Sequence, residues 1–249
     1  CDENGLFLIE DCAQAHGARY KGKPVGTFGD FAAFSFCQDK IMTTGGEGGM
    51  LVTNNEELWR RAWSFKDHGK DYNAVFHDEH PPGFRWLVKT FGTNYRMTEM
   101  QAAIGRTQLK KLDSWVEKRR HLASILSEGF KQFDALRVTY PPADIYHSYY
   151  KYYTFARPER LRDSWSRDRI LFELSEMGVP CGTGICPEVY LEKAFDNYNW
   201  KTNSGEKKRL EIAKQLGETS MMFLVHPTLE ESDMTFIIEQ MYRILKDAV

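Results

Sequence analysis

No apolar run in this chain of 249 residues approaches the ~20 that a membrane-spanning helix needs, and no signal peptide is visible. Neither sign of charge dominates: 33 Lys and Arg stand against 35 Asp and Glu, for a net charge of −2. That balance offers nothing to nucleic acid or to an anionic membrane, and neither is expected as a partner. Cysteine is sparse: Cys1, Cys12, Cys37, Cys181 and Cys186 are odd in number and contain no C-x-x-C, as expected of reduced thiols in a cytoplasmic protein. Metal ligands lack a third member. His77-Asp78-Glu79-His80 is followed at once by Pro81-Pro82-Gly83, so a solvated loop and no metal site are expected there. Repeats, low-complexity tracts and flexible linkers are missing too. What remains is 42% hydrophobic and 14% aromatic residues, enough for a core, with 27% charged residues to cover it.

Two strand ends carry the chemistry. Leu6-Phe7-Leu8-Ile9 reads as a strand and is closed by the polar cluster Glu10-Asp11-Cys12-Ala13-Gln14-Ala15-His16-Gly17. A second strand-like run ends near Phe34-Ser35-Phe36 and leads through Lys40 into Gly45-Gly46-Glu47-Gly48-Gly49. These glycines lack the G-x-G-x-x-G order and feed Met50-Leu51-Val52-Thr53, another strand rather than a helix, which argues against a dinucleotide site. They do permit positive φ and close backbone approach. Strand ends are where open α/β sheets bind ligands.

A third segment, Gly92-Thr93-Asn94-Tyr95-Arg96-Met97-Thr98-Glu99-Met100-Gln101, contains a helix start, since Thr98 followed by Gln101 forms a capping box ahead of an apolar-periodic run. In order and spacing the three segments resemble the sugar aminotransferase family that includes DegT, DnrJ, EryC1 and StrS, whose cofactor is pyridoxal 5′-phosphate (PLP). The resemblance implies roles residue by residue. Lys40 matches the lysine that binds the PLP aldehyde, and Asp11 matches the carboxylate that keeps the pyridine nitrogen protonated. Gln14 matches the glutamine beside the cofactor's ring and phenolic oxygen. Ser35 matches a hydroxyl on the phosphate, and Asn94 matches an asparagine reaching the phosphate held by the neighbouring subunit.

The fold the resemblance implies is α/β, PLP-dependent transferase fold type I: part of a large domain with a mixed, mostly parallel sheet over 1–112, then a small C-terminal α/β domain over 113–249. Only the middle and end of a family member are matched. The glycine and threonine or serine helix start that binds phosphate, and the aromatic residue that stacks on the ring, are expected upstream of Cys1.

The rest of the pattern can be read element by element. Asn54 or Asn55 caps a helix through about Lys66. A helical pattern from Thr98 to about Phe133 is expected to break near Asp113-Ser114, where the large domain hands over to the small one. Tyr149 to Ala156 reads as a strand, Ser166 starts a helix that stops at Gly178, and Lys207 to Leu216 is helical with its end at Gly217. The last helix starts near Thr228 to Ser232 and reaches about Lys246. Gly69 to Gly92, with Tyr72, Phe76, Phe84, Arg85 and Trp86, has no clean period and reads either as a loop near the sugar site or subunit interface or as a surface insertion. His226, before the last helix, reads either as a substrate contact or, as expected, as a buried residue closing a strand.

The activity implied is amino transfer from glutamate to a keto sugar, most often nucleotide-linked, in polysaccharide or antibiotic biosynthesis, by a homodimer with shared sites. Gly178-Val179-Pro180-Cys181-Gly182-Thr183-Gly184-Ile185-Cys186-Pro187-Glu188-Val189-Tyr190 departs from the proline- and histidine-containing stretch of many sugar aminotransferases, which leaves an amino-cyclitol or aromatic-precursor ketone open as acceptor. A lyase using the same lysine and aspartate, or a truncated or degenerate homologue without activity, are the competing readings.

Overall fold

The computed structural model describes residues 1–83, 86–196 and 209–249. In chain order the first elements are β1 (Ile9–Asp11), β2 (Arg19–Tyr20), β3 (Lys23–Pro24), β4 (Phe31–Ser35), β5 (Gly49–Val52), α1 (Glu56–Lys66), α2 (Tyr72–Phe76) and α3 (Glu99–Leu109). There follow α4 (Leu112–Phe130), β6 (Leu136–Val138), β7 (Ile145–Tyr146), β8 (Tyr152–Ala156), α5 (Arg167–Glu176), β9 (Cys181–Gly182), α6 (Glu211–Thr219), β10 (Ser220–Phe223) and α7 (Glu231–Ala248). The contacts divide the chain into two units, one of Cys1–Val116 with Pro142–Ser148 and one of Glu117–Pro141 with Tyr149–Val249.

In the first unit, β4 lies between β1, its parallel partner, and β5, its antiparallel one. The sheet is therefore mixed, but among the described residues it is not mostly parallel as expected. A second small sheet pairs β3 with β2 and β2 with β7, all antiparallel. Helix starts follow their side chains: Asn55 Oδ1 accepts the Leu58 N–H, and Asp71 Oδ1 accepts that of Ala74. The Thr98–Gln101 capping box is present at α3.

The second unit is an antiparallel sheet in the order β6-β8-β10-β9, with one continuous apolar core. Leu122, Leu126 and Phe130 recur every fourth residue along α4, Ile170 and Leu174 along α5, and Met234, Ile237, Met241, Ile244 and Leu245 along α7. The strand faces supply Tyr152, Met221 and Phe223. Phe130 stacks edge-on against both Tyr152 (6.0 Å) and Phe223 (5.3 Å). Two of the polar groups inside pair with each other or with backbone: the Thr154 hydroxyl donates to Arg137 O, and Ser127 to the Tyr152 hydroxyl, whose pKa burial pushes up. A second cluster ties Glu188 to Arg209 through two charge-assisted hydrogen bonds (2.8 and 2.6 Å). The Tyr190 hydroxyl also donates to Glu188 and accepts the Leu210 N–H at the start of α6. Arg209 first, then Tyr190, hold the Glu188 carboxyl down at about 2.

Several boundaries differ from the sequence expectation. The first strand begins at Ile9 rather than Leu6: ahead of the ladder, the Leu8 N–H goes to the Asp30 side-chain carboxylate while Leu8 O accepts the Asp30 N–H. The helix break falls at Lys110–Lys111, before Asp113. Tyr149 has φ +48°, a left-handed turn that delays the strand to Tyr152, and Arg119 fixes it by donating to the carbonyls of Tyr149 and Tyr150. Gly217 does not stop α6, which continues to Thr219. A Cβ at that position would collide with Pro187, so the glycine serves close packing. Lys207 and Lys208, placed in that helix from sequence, lie outside the described residues, as do Phe84 and Arg85. The 69–92 stretch holds α2 and a Lys70↔Val88 bridge. His226 is exposed, three residues past β10.

Replacing Phe130 by Ala should cost about 3–5 kcal/mol, because its ring is fully buried among rings that cannot close the gap. Urea unfolding followed by fluorescence would measure it. A loss under about 1 kcal/mol would place the core elsewhere.

Candidate functional site

Parallel strands end at the same sheet edge, and this brings the first two predicted residues together. Asp11 is opposite Ala33 in the β1–β4 register, and Ser35 is two residues further on at the end of β4. With strands ~4.8 Å apart and ~3.3 Å per residue, their Cα atoms are about 8 Å apart. The pairing runs one bond past Asp11, through Cys12 N–H to Ala33 O (2.9 Å). Asp11 is exposed, and its Oδ1 accepts the Ala13 N–H (3.0 Å), an Asx turn that orients the carboxylate at the strand end. Gln14 follows on the same turn, also exposed.

Ser35 Oγ accepts the Cys37 N–H (3.3 Å), which leaves its own proton for an acceptor outside the turn. Lys40 closes the next turn, its N–H bonded to Cys37 O (3.1 Å), and the chain then dives inward at Ile41 and Met42, both buried. The lysine is half-buried. Lys40 thus follows directly from the β4 end that carries Ser35, on a short leash between a strand and a buried anchor.

Glu10, unremarked in the sequence reading, is what secures this edge. Its carboxylate accepts three backbone N–H groups, from Gly26 (2.7 Å), Phe28 (2.7 Å) and Gly29 (2.8 Å), and so ties the loop before β4 onto β1. Burial pushes its pKa up, but the donors of Gly26, Gly29 and Phe28 outweigh this and hold the carboxyl below its ordinary 4.5. Two adjacent acids on a strand are a signal that could have been read, since side chains alternate faces and the two must have separate partners.

Asn94 is built into a different constellation. It forms an antiparallel bridge with Asp67, flanked by His68 N–H to Thr93 O and Tyr95 N–H to Lys66 O (both 3.0 Å). The two segments meet this closely only because position 69 is glycine, at φ +79°, where a Cβ would run into Thr90 O. Asn94 Oδ1 accepts from both Nε (3.0 Å) and the backbone N–H (3.4 Å) of Arg96, so the amide N–H₂ of Asn94 remains as donor. Arg96 is held in turn by Asp67 (3.5 Å). Burial raises the Asp67 pKa, and Lys70 and Arg96 lower it by more. Among the described residues, none of Asn94's hydrogen bonds reaches the Asp11–Lys40 stretch. Within one chain, then, the β1–β4 register brings Asp11 and Ser35 to one sheet edge, with Gln14 and Lys40 in the turns that follow, and Asn94 takes part in a separate set of hydrogen bonds. No group of three or more His, Cys, Asp or Glu that could hold a metal occurs among the described residues. No helix among them is long and apolar enough to cross a membrane.

The adjacent ends of β1 and β4, with the turns after them, thus carry a carboxylate, an amide, a hydroxyl and an amine close in sequence to the two strand ends. A model of the DegT/DnrJ/EryC1/StrS aminotransferase family matches residues 1–242. The GDP-perosamine synthase of Escherichia coli O157:H7 is 32% identical over 243 residues, 97% of this chain and 59% of that enzyme. The L-glutamine:2-deoxy-scyllo-inosose aminotransferase of Micromonospora echinospora is 40% identical over 154 residues, 61% of this chain and 36% of that enzyme. An aminotransferase structure from Psychrobacter cryohalolentis superimposes with a TM-score of 0.90 at 51% identity, covering 99% of this chain and 63% of that one. The chain therefore spans about three fifths of the length of the relatives it matches along its whole extent.

Because Glu10 titrates below 4.5 in the folded protein, its contribution is complete above the unfolded value and is lost as pH falls through the lower folded one. Glu10→Gln should therefore lower the urea midpoint at pH 7, and the gap to wild type should shrink toward pH 3. An equal gap at both pH values would show that the charge is not what holds the loop.

Proposed function

Because the chain belongs to the DegT/DnrJ/EryC1/StrS aminotransferase family, we propose that it forms the lysine-bearing part of a PLP-dependent aminotransferase acting on a keto sugar. The observation that carries the reading is the shared edge of β1 and β4, where Asp11 and Ser35 end adjacent parallel strands and Lys40 follows at once. Enzymes of this family are PLP-dependent. Asp11, Gln14, Ser35 and Lys40 would hold the cofactor, and Asn94 would serve the phosphate in a partner subunit.

When bound, PLP supplies an aldehyde that captures amines and a ring that withdraws electrons. The chain's own groups do the rest. The Asp11 carboxylate holds a proton on the ring nitrogen by charge pairing. Lys40 Nζ would take the proton from the substrate's Cα as general base and give it back as general acid. Ser35, with Asn94 reaching across from the other subunit, would donate to the phosphate and so fix the ring's position. The donor is glutamate and the acceptor a nucleotide-linked ketosugar in this reading, and the reaction belongs to the making of amino sugars. A second reading, an amino-cyclitol ketone as acceptor, is favoured by the 40% identity to the scyllo-inosose enzyme. The departure of Gly178–Tyr190 from the sugar-enzyme pattern supports it as well. Incubation with each ketone and glutamate, followed by mass spectrometry, separates the two.

Lys40→Ala in the full-length protein should abolish turnover and leave no pyridoxyl group after borohydride reduction, whereas wild type should carry it on Lys40 by peptide mapping. A label on another lysine would sink the assignment.

Shared sites in a dimer make a separate prediction. When equal amounts of Lys40→Ala and Asn94→Ala proteins exchange subunits, each mixed dimer has one site with both lesions and one with neither, so activity should return toward about a quarter of wild type, since about half of the dimers are mixed. Verified exchange without recovery would place Asn94 in its own chain's site.

A further inference from the structure

Gln101, Gly105 and Gln108 fall at spacings of four and three along α3, and so share one helix face. That face lies on the glycine loop that follows Lys40. Gln101 Nε2 donates to Glu47 O (2.6 Å), and Gln108 Oε1 accepts the Thr43 N–H (2.8 Å). Between the two amides Gly105 is buried, and a Cβ there would stand 3.0 Å from Thr44 Cγ2. Thr44 is itself 1% exposed, and Gly45 turns beneath Ile104 at φ +81°. The loop has no strand or helix of its own to satisfy its backbone, so the two glutamines supply partners that regular structure would otherwise provide. Gln101 is used at both ends, because its Oε1 also accepts from Thr98 N–H (3.1 Å) and Thr98 Oγ1 (3.0 Å) at the helix start. One amide thus joins the first turn of α3, just past Asn94, to the loop just past Lys40.

We propose that Gln101 and Gln108 are positioning residues for Lys40: by clamping the glycine loop at Thr43 and Glu47 they fix where the lysine amine stands against the β1–β4 edge. The inference rests on the reading of Lys40 given above. A loose clamp leaves the amine present but displaced, and a displacement of about 1 Å is enough to cost on the order of 10²-fold in rate.

The test uses the full-length protein with Gln108→Met, which keeps the length and loses the acceptor, and Gln108→Glu, which keeps an acceptor for Thr43 N–H. Three readouts are taken besides thermal stability: the acetylation rate of Lys40 in cofactor-free protein, the pH midpoint of the bound cofactor's visible band, and kcat against KM. With Gln108→Met the acetylation rate of Lys40 should change several-fold relative to the other lysines, and the midpoint should move by about half a unit or more. In the same variant kcat should fall on the order of 10-fold with KM for the donor little changed. Gln108→Glu should restore all three. Wild-type values for Gln108→Met, or a Gln108→Glu no better than Gln108→Met, would overturn the proposal. If Gln108→Met does not fold, Gln101→Glu, which sets a carboxylate against Glu47 O, is read by the same measurements: changes of the same kind are expected, and wild-type values would overturn the proposal. Mapping of the borohydride-fixed cofactor to a different lysine would instead overturn the function proposed for Lys40, which keeps the two failures distinct.

Discussion

The parallel pairing of β1 with β4 is the constraint on which the candidate site depends. A three-residue strand has few ladder bonds of its own, and a strand that short is easily lost or slipped. Glu10 supplies the missing hold, because one carboxylate accepts three backbone N–H groups from the loop that leads into β4. Side chains alternate along a strand, so fixing Glu10 on one face also fixes Asp11 on the other. Neighbouring acids therefore divide the work: the first spends its charge on the backbone, and the second presents its charge at the edge.

The same economy governs the glycine loop after Lys40 and the Asp67–Asn94 bridge. Both are irregular stretches packed closely at glycines: Gly45 and Gly105 lie against the Ile104 and Thr44 side chains in one case, and Gly69 against the Thr90 backbone in the other. Side-chain amides and a guanidinium then satisfy what regular ladders would have. The second unit differs in kind. Its apolar core is continuous and its buried polar groups mostly find partners within it, while the charged cluster of Glu188, Tyr190 and Arg209 closes the segment in which this chain departs from the sugar-enzyme pattern.

The helix starts were legible in the sequence because their signals are local: Thr98 with Gln101, and Asn55, depend on neighbours a few residues away. Of the candidate site, the pattern located the two strand ends at Asp11 and Ser35. The boundaries that moved depend on tertiary facts. Tyr149 adopts a left-handed turn because Arg119 reaches its carbonyl from another element, and Gly217 sits inside a helix because Pro187 leaves no room for a Cβ. β10, Ser-Met-Met-Phe, has little strand propensity and is a strand because β8 and β9 flank it. His226 was expected inside and is exposed, its ring bonded to Thr228 two residues on (2.9 Å), a local turn that the sequence does carry in Pro227. Partial desolvation of the ring, and secondarily Arg119, lower its pKa although the residue as a whole is exposed.

The central claim is that the end of β1 sets the protonation of the cofactor ring. Nitrogen NMR of the full-length protein loaded with ring-¹⁵N PLP reads that directly. The account predicts a protonated ring nitrogen in wild type across neutral pH and a neutral one in Asp11→Asn at the same pH. The same protonation state in both proteins would contradict it.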